Sequence, residues 1–541
     1  MVKKSTHIPL FIKKFLLLIT VVFFLIIPEY KAYAIELDEE SIRALIKETQ
    51  ALRQETKDLR NEVTQLKKQL GNNTIVTKPT RTKKPSSKNS KTENTIVKSE
   101  KNKPTTKSAT SKTPKKDKQL NLGGIPLLVA PDLGTTPAYN GSDLLTNLSQ
   151  TNGDLLALQY RQTIENRGTD TEKAPDYYVI LSGSLGAQYN TGDPYIGNAI
   201  SDVDLTAANI TMLAGVGKWI TGFMSLDFDG TPPEDLNPPQ IGPRYLNSRI
   251  YVDQGYITLG NLNQSDIYAS IGQMYLPFGQ FNGFMVNSPL TASMFTTIDR
   301  PVLLGFSHSN DTTEFDVEVF AYQGDTVRNI NSSAINAWGA NADYIISKTR
   351  WNADLGMGYI SNIADAEGFQ LNGQNAIACT VFGGFAFPCN QGNVLIHPVP
   401  GFDIHGSLTL GSLSFISEYI TSTRRFDRID LAYNHKGARV EAFDFETGYE
   451  FKLFNKPSSI AVGYGYTKEA LALLLPARQY SITLTTSFWR NTTQSLGFQH
   501  DVNYGRYDEA SGQSLPVYFS IDRPNLGKTS NTAILAMNVS F

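Results

Sequence analysis

Acidic residues within segments of alternating hydrophobicity are the side chains best placed to do chemistry in this sequence. Where apolar and polar residues alternate along a strand, residues of one parity share a face. The polar face carries Asp227, Asp229, Asp354, Glu418, Asp444, Glu446, Glu450 and Asp501, with Lys452 among its few bases. Carboxylates that line an interior would focus an electrostatic field that attracts cations. Plain solvation of these acids by water explains the pattern equally well.

Segment 274–301, which is rich in aromatic residues, is the best candidate for the constriction of a channel. Its candidate site residues are Tyr275, Phe278, Phe281, Asp299 and Arg300. It would form the third long loop of the barrel inferred below, and in general porins that loop folds inward and narrows the pore. The aromatic side chains would equally serve to pack the loop onto the barrel wall.

Cysteine and histidine offer little further chemistry. Cys379 and Cys389 are the only cysteines, and in an exported protein they predict a disulfide that staples a long loop. A metal site there would need more ligands, and only His397 is nearby. The six histidines are scattered, with no spacing typical of metal binding or of Ser-His catalysis. We therefore predict neither an enzyme nor a cofactor.

Period-two alternation predicts the elements that position these residues. Sixteen strands are predicted, at 177–189, 203–213, 217–229, 249–260, 266–273, 302–308, 314–321, 337–347, 351–360, 402–410, 413–422, 439–450, 459–467, 478–489, 492–502 and 531–541. The fold class is therefore all-β, an antiparallel transmembrane β-barrel of about 16 strands.

The lengths of the connections separate a membrane barrel from a soluble β-sandwich. Connections after even-numbered strands are predicted to be short and those after odd-numbered strands long, in strict alternation. Short periplasmic turns and long outer loops are typical of outer-membrane barrels. An even strand number places both barrel ends in the periplasm. The chain-terminal Phe541 resembles the signal by which such barrels are recognised for insertion.

The N-terminus predicts export to the outer membrane. Lysines precede an apolar run that is followed by Ala32-Tyr33-Ala34, so residues 1–34 are predicted to be a signal peptide. The mature chain has no apolar stretch near the roughly 20 residues that a membrane helix needs. Any part that crosses the lipid must then be a barrel.

Three further regions are predicted before the barrel. Residues 35–70 have a heptad pattern with attractive charge pairs, which favours a periplasmic α-helical coiled coil and a homo-oligomer, although a single solvated helix fits as well. Residues 71–122 form a basic, flexible and disordered linker, for which the export signal disfavours a nucleic-acid partner. Residues 123–176 form a segment in the periplasm or at the barrel mouth, and the barrel occupies 177–541.

Four stretches of the sequence resemble the LbtU-type siderophore porins of intracellular gammaproteobacteria, relatives of the legiobactin receptor. They are 139–144, 272–278, 288–291 and 481–501, the last with Trp-Arg-Asn-Thr at 489–492. The resemblance implies iron acquisition across the outer membrane, as ferric siderophore or, in relatives, as ferrous iron. Only segment 123–176 and sixteen predicted strands are available, too few for the N-terminal plug and the larger barrel of energy-coupled receptors, so uptake would be plug-free, as the resemblance permits. The resemblance transfers no ligand residue.

Two other functions compete with iron uptake. A general or cation-selective porin would have the same barrel and loops. An envelope tether or adhesin would use the coiled coil and the basic linker. An acidic lumen suits a metal cation better than a polycarboxylate siderophore.

Overall fold

The structure is a computed structural model that describes residues 120–122, 125–129, 151–167, 176–229, 249–326, 334–371, 382–386, 394–512 and 525–541. The chain divides into two compact units, Met1–Ser111 and Lys112–Phe541, and every described residue belongs to the second. The predicted signal peptide, coiled coil and most of the linker lie outside the described residues, so these stay predictions. No described helix is both long and apolar enough to cross a membrane.

Sixteen antiparallel strands of the described chain close into a barrel, which confirms the predicted fold class. They are β1 Tyr177–Asp193, β2 Ile200–Val216, β3 Ile220–Asp229, β4 Arg249–Leu259, β5 Ile267–Tyr275, β6 Val302–Ser309, β7 Thr313–Tyr322, β8 Ala337–Lys348, β9 Trp351–Ile360, β10 Gly401–Leu410, β11 Leu413–Ser422, β12 Glu441–Leu453, β13 Lys456–Lys468, β14 Arg478–Thr486, β15 Thr492–Val502 and β16 Thr529–Ser540. The barrel closes where β16 pairs with β1, from Asn531 opposite Asp193 to Ser540 opposite Ser184.

Alternation along each strand separates an apolar outer face from a polar inner face. On β10, Phe402 and Ile404 are exposed on the outside, whereas Asp403 and His405 are buried on the inside. Successive side chains of a strand point to opposite faces. Alternating apolar and polar residues therefore give each strand one face suited to lipid and one suited to the lumen. This is the arrangement of an outer-membrane barrel.

The connections differ in length between the two ends of the barrel. The short-turn end has 217–219, 260–266, 310–312, 349–350, 411–412, 454–455 and 487–491. The long-loop end has 194–199, 230–248, 276–301, 323–336, 361–400, 423–440, 469–477 and 503–528. The strict alternation expected from the sequence fails at one point, since 194–199 is shorter than 260–266. The physical reason is that β1 and β2 continue their pairing beyond their predicted ends, from Tyr189 out to Gly192 opposite Ile200.

A hairpin precedes the barrel where the flexible linker was expected to continue to residue 122. Leu120–Leu122 and Ile125–Val129 pair with each other, and the second strand runs parallel to β1, with Leu127 opposite Val179. The contact uses the edge of β1 that β16 leaves free, because β16 reaches β1 only from Ser184 onward.

Helix α1, Gly153–Arg167, lies inside the barrel at the short-turn end. Its Ala157 packs with the inward-facing Tyr178, Ile180 and Leu213. The sequence predicted that segment 123–176 lies in the periplasm or at the barrel mouth. The helix takes the inner position because its apolar residues are buried against the inner wall.

The buried Arg161 attaches α1 to the wall. Its guanidinium donates hydrogen bonds to the carbonyl oxygens of Gly217 at 2.7 Å and Ile220 at 2.9 Å, and to Thr221 Oγ1 at 3.1 Å. It also forms an ion pair with Glu165, with Nε 2.9 Å from Oε1. The helix is therefore held by charge-assisted bonds as well as by packing.

Loops pack over the long-loop end around a core of aromatic rings. Phe369, Phe382, Phe385 and Phe426 stack or meet edge to face and are buried. The remaining elements here are helix α2 Leu290–Phe295, helix α3 Glu367–Gln370, the 3₁₀ turns Ile363–Asp365 and Leu471–Leu473, and the short strands Ile298–Asp299, Leu431–Tyr433, Lys436–Gly437 and Ala510–Gly512.

Asp365 is a buried acid within this loop packing. Its carboxylate accepts hydrogen bonds from the backbone amide of Thr326 at 2.8 Å, from Thr326 Oγ1 at 2.6 Å and from Asn362 Nδ2 at 3.0 Å. Burial outweighs these bonds and raises the pKa of Asp365 to about 7.

We expect Arg161→Ala to release α1 from the inner wall, because several bonds to one buried guanidinium are lost together. Removing one partner of a buried charged pair typically costs about 3 to 5 kcal/mol. Hydrogen exchange of 153–167, followed by mass spectrometry on the folded barrel, should become faster. Arg478→Ala is the matched control, since Arg478 is exposed on β14. Equal exchange in both variants would contradict the anchoring role.

We expect the stability of the loop end to fall as pH rises from about 4 to about 7. The raised pKa of Asp365 means that the folded protein binds more protons than the unfolded chain in this window, so protonation stabilises the fold and is lost as pH rises. Each unit of pKa shift corresponds to about 1.4 kcal/mol. Chemical denaturation at several pH values should show a flatter profile for Asp365→Asn, and an unchanged one for the exposed Asp311→Asn.

Candidate functional site

The third long loop, 276–301, lies inside the barrel against β11 and β12. The backbone amides of Gln280 and Phe281 donate to Glu418 Oε1 at 2.6 and 3.1 Å. The amide of Thr291 donates to Asp444 Oδ2 at 2.8 Å. The amide of Phe284 donates to Glu446. Inner-wall carboxylates thus satisfy backbone amides of a loop that has left the wall.

Three of the predicted inward acids therefore hold the loop and are not simply solvated. Glu418, Asp444 and Glu446 are buried, with at most 7% of their surface exposed. The loop takes the inward position that was expected of it, while its role as the constriction of a channel stays a prediction.

The other predicted loop residues differ in their surroundings. Phe278 is fully buried in the core and Phe281 packs against that core, so these aromatic rings pack the loop onto the wall. Tyr275 donates its hydroxyl to Asp253 at 3.3 Å. Asp299 accepts the amide of Arg300 at 2.6 Å, and the exposed Arg300 guanidinium reaches Gln273.

The remaining predicted acids lie on the inner wall, either away from the three acids that anchor the loop or at the margin of the wall. Asp227 is half-buried and accepts a hydrogen bond from Ser225 at 3.1 Å. Asp354 accepts one from the side chain of Gln280. Glu450 is half-buried on β12. The side chain of Asp229 lies outside the described residues, as do Cys379 and Cys389, so the disulfide stays a prediction.

Register brings further acids and one histidine into a row across the inner wall. The residues of this acidic row are Asp316 on β7, Asp343 on β8, Gly356 on β9, His405 on β10, Glu418 on β11 and Asp444 on β12, each opposite the next. Asp403 lies two residues before His405 on the same face. Asp316, Asp343, Asp403 and His405 were not among the predicted site residues. The same alternation could have found them.

His405 lies between two carboxylates. Its Nδ1 is 2.6 Å from Asp403 Oδ2, and its Nε2 is 2.7 Å from Asp343 Oδ1. Asp343 sits two strands away, and the contact is made across Gly356. A Cβ at Gly356 would lie 2.0 Å from both Asp343 Oδ1 and His405 Nε2. Asp343 and His405 can therefore approach each other because residue 356 is a glycine and has no side chain.

Several of these carboxylates keep one oxygen without a hydrogen-bond partner. Among the described residues, the acids with such a buried oxygen are Asp299 (Oδ2), Asp316 (Oδ1), Glu318 (Oε2), Asp354 (Oδ1), Asp403 (Oδ1) and Glu418 (Oε2). The one base in the acidic row is His405. Neighbouring buried carboxylates cannot all ionise without a compensating proton or cation. Asp403, His405 and Glu418 could hold a metal ion, since one ligand atom from each lies within 4.8 Å of the others.

Comparison with known proteins identifies the family. No family model matches the chain. A UPF0422 protein of Legionella pneumophila (strain Lens) is 33% identical over 426 residues, which are 78% of this chain and 77% of that protein. A UPF0422 protein of Coxiella burnetii (strain RSA 493 / Nine Mile phase I) is 32% identical over 419 residues, 77% of this chain and 84% of that protein.

The chain belongs to the UPF0422 family. The narrower resemblance to LbtU-type siderophore porins is not confirmed by these UPF0422 relatives. Among solved structures, the outer-membrane channel DcaP of Acinetobacter baumannii aligns with a TM-score of 0.40 and 13% identity, covering 69% of this chain and 99% of DcaP. An anion-selective porin from Comamonas acidovorans aligns with a TM-score of 0.42 and 10% identity, covering 68% of this chain and 100% of that porin.

We expect Gly356→Ala to destabilise the barrel by about 1 to 3 kcal/mol, the usual cost of overpacking a filled interior. The new methyl group would push His405 away from Asp343. Gly222→Ala on β3 is the matched control, because a Cβ there meets no atom within 4 Å. The free energy of unfolding in denaturant should fall only for the first variant. Equal stability of the two variants would contradict the contact.

Proposed function

We propose that this UPF0422 barrel is an outer-membrane channel for small cations, with a divalent metal ion such as ferrous iron as the cargo that fits its residues. The observation that carries the proposal is the concentration of inner-wall carboxylates around the inward loop, opposed in the acidic row by a single histidine. A low-dielectric wall of one charge sign concentrates ions of the opposite sign.

The excess of acid continues beyond the loop anchors. Asp227 and Asp354 are half-buried on the inner wall, and Glu314 and Asp501 are also only partly exposed. Glu314 accepts a hydrogen bond from Gln159 of α1 at 2.5 Å, and Asp354 accepts one from Gln280 of the third loop, so these acids add negative charge beside both segments. Anions, including a polycarboxylate siderophore, would be repelled by the same field.

The occupied interior favours a small cargo. Helix α1 fills part of the lumen at the short-turn end, where Leu158 lies against Gly260 and Tyr268. The third loop is attached to β11 and β12 by the bonds described above. A bulky ferric siderophore, which the sequence resemblance implies as cargo, would require both segments to move aside. A hydrated or partly dehydrated ion needs far less space.

The test combines electrical and uptake measurements. In planar bilayers under a salt gradient, the reversal potential should report cation preference for the wild-type protein. Asp227→Asn/Asp354→Asn should reduce that preference several-fold, because two inner-wall charges are lost. The control Asp176→Asn/Asp311→Asn removes two exposed acids and should leave the preference unchanged.

Uptake identifies the cargo. A deletion strain complemented with this chain should take up radiolabelled ferrous iron faster than the deletion strain, with ferric-siderophore uptake unaffected. Uptake of the ferric siderophore alone would overturn the cation proposal in favour of the siderophore. Anion preference in the bilayer would overturn it outright.

A further inference from the structure

We propose that Asp403, His405 and Glu418 form a binding site for one divalent transition-metal ion on the inner barrel wall, beneath the third loop. This deepens the proposed channel function, and it rests on that function only for the route by which the ion arrives. The three residues come from two neighbouring strands, β10 and β11, with His405 directly opposite Glu418.

The geometry suits an ion with little rearrangement. One ligand atom from each residue lies within 4.8 Å of the others. Around a tetrahedral zinc-like ion with bonds of about 2.0 to 2.2 Å, ligand atoms lie about 3.3 to 3.6 Å apart. A shift of at most about 1.5 Å therefore closes the site. All three side chains are buried, with at most 3% of their surface exposed, so the site is shielded from bulk water.

Two oxygen atoms in this cluster lack a partner. Asp403 Oδ1 and Glu418 Oε2 are buried and accept no hydrogen bond. Asp403 is completely inaccessible to solvent. A buried carboxylate oxygen without a hydrogen-bond donor loses its contact with water and gains no other partner. A bound cation would be that partner.

Asp343 completes the site as a positioning residue. A metal-binding histidine usually gives its other ring N–H to a carboxylate, which orients the ring. His405 Nε2 is 2.7 Å from Asp343 Oδ1, so Nδ1 is the nitrogen that would bind the ion, in exchange for its present 2.6 Å hydrogen bond to Asp403 Oδ2. Gly356 permits this contact, as described above.

The ligand set defines the class of ion. Imidazole nitrogen suits zinc, iron and related metals, whereas carboxylate oxygen also suits manganese. One imidazole with two carboxylates therefore favours Fe²⁺, Mn²⁺, Co²⁺ or Zn²⁺ over Mg²⁺ and Ca²⁺, which prefer oxygen alone.

Glu418 would link the ion to the loop. Its Oε1 accepts the amides of Gln280 and Phe281, while Oε2 is the oxygen that would face the ion. An ion on one oxygen and two amides on the other fix the same carboxylate from both sides. The site therefore sits at the attachment point of the loop.

Cobalt binding to the full-length protein in detergent tests the proposal. After treatment with a chelator, wild-type protein should bind one Co²⁺ per chain, with a visible absorption spectrum, and Zn²⁺ should displace it while Mg²⁺ does not. His405→Gln and Glu418→Gln should each weaken binding by at least about 100-fold, and Asp343→Asn by about 10- to 100-fold.

Glu446→Gln is the matched control, because Glu446 is also buried and also accepts a loop amide but is not one of the three ligands. It should bind Co²⁺ like the wild type. Heat-modifiable migration on gels verifies that each barrel is folded. If His405→Gln does not fold, the Co²⁺ titration of the wild-type protein still tests whether the site exists.

The outcomes separate this site from the channel proposal. Wild-type protein that binds no stoichiometric Co²⁺, as expected if protons alone neutralise the cluster, overturns the site. Equal weakening by Glu446→Gln also overturns it. A barrel that conducts cations but binds no Co²⁺ leaves the channel proposal standing. A barrel that binds Co²⁺ without cation preference supports the site and overturns the channel proposal.

Discussion

The hydrogen bonds from backbone amides of the third loop to wall carboxylates are the interaction on which the interior depends. A loop that leaves the wall carries amides that no strand can satisfy, and leaving them unpaired would be costly. Glu418, Asp444 and Glu446 supply acceptors at the required places. These carboxylates become part of the framework, and the aromatic side chains of the loop complete the packing.

The strands of this barrel could be predicted from the sequence because one constraint acts on every strand alike. Lipid outside and polar surroundings inside impose a period of two, so β1 to β16 appear as alternation without any knowledge of their partners. Ends were less predictable, as β1 and β2 show. The extra residue pairs form because both strands extend further. The alternation within one strand does not show where its partner ends.

The interior was harder to predict because its contacts are set by register and by chain segments from elsewhere. The alternation in the sequence was enough to place Asp343, Asp403 and His405 on the inward faces of their strands. Their meeting across Gly356 required the offsets between β8, β9 and β10. The position of α1 was equally hidden, since the sequence of a helix does not reveal which wall it will pack against. The role of Glu418, Asp444 and Glu446 as loop anchors was hidden for the same reason.

The hairpin at 120–129 has a consequence for how the barrel is assembled. Closure joins the first strand to the last, so the β1–β16 seam can be completed only after the rest of the wall exists. Where β16 ends, the edge of β1 would remain open and could recruit a strand from another molecule. The parallel pairing of Ile125–Val129 with β1 covers residues Val179 to Leu181 of that edge. The segment that directly precedes the barrel in sequence thus protects the closing strand against intermolecular strand addition.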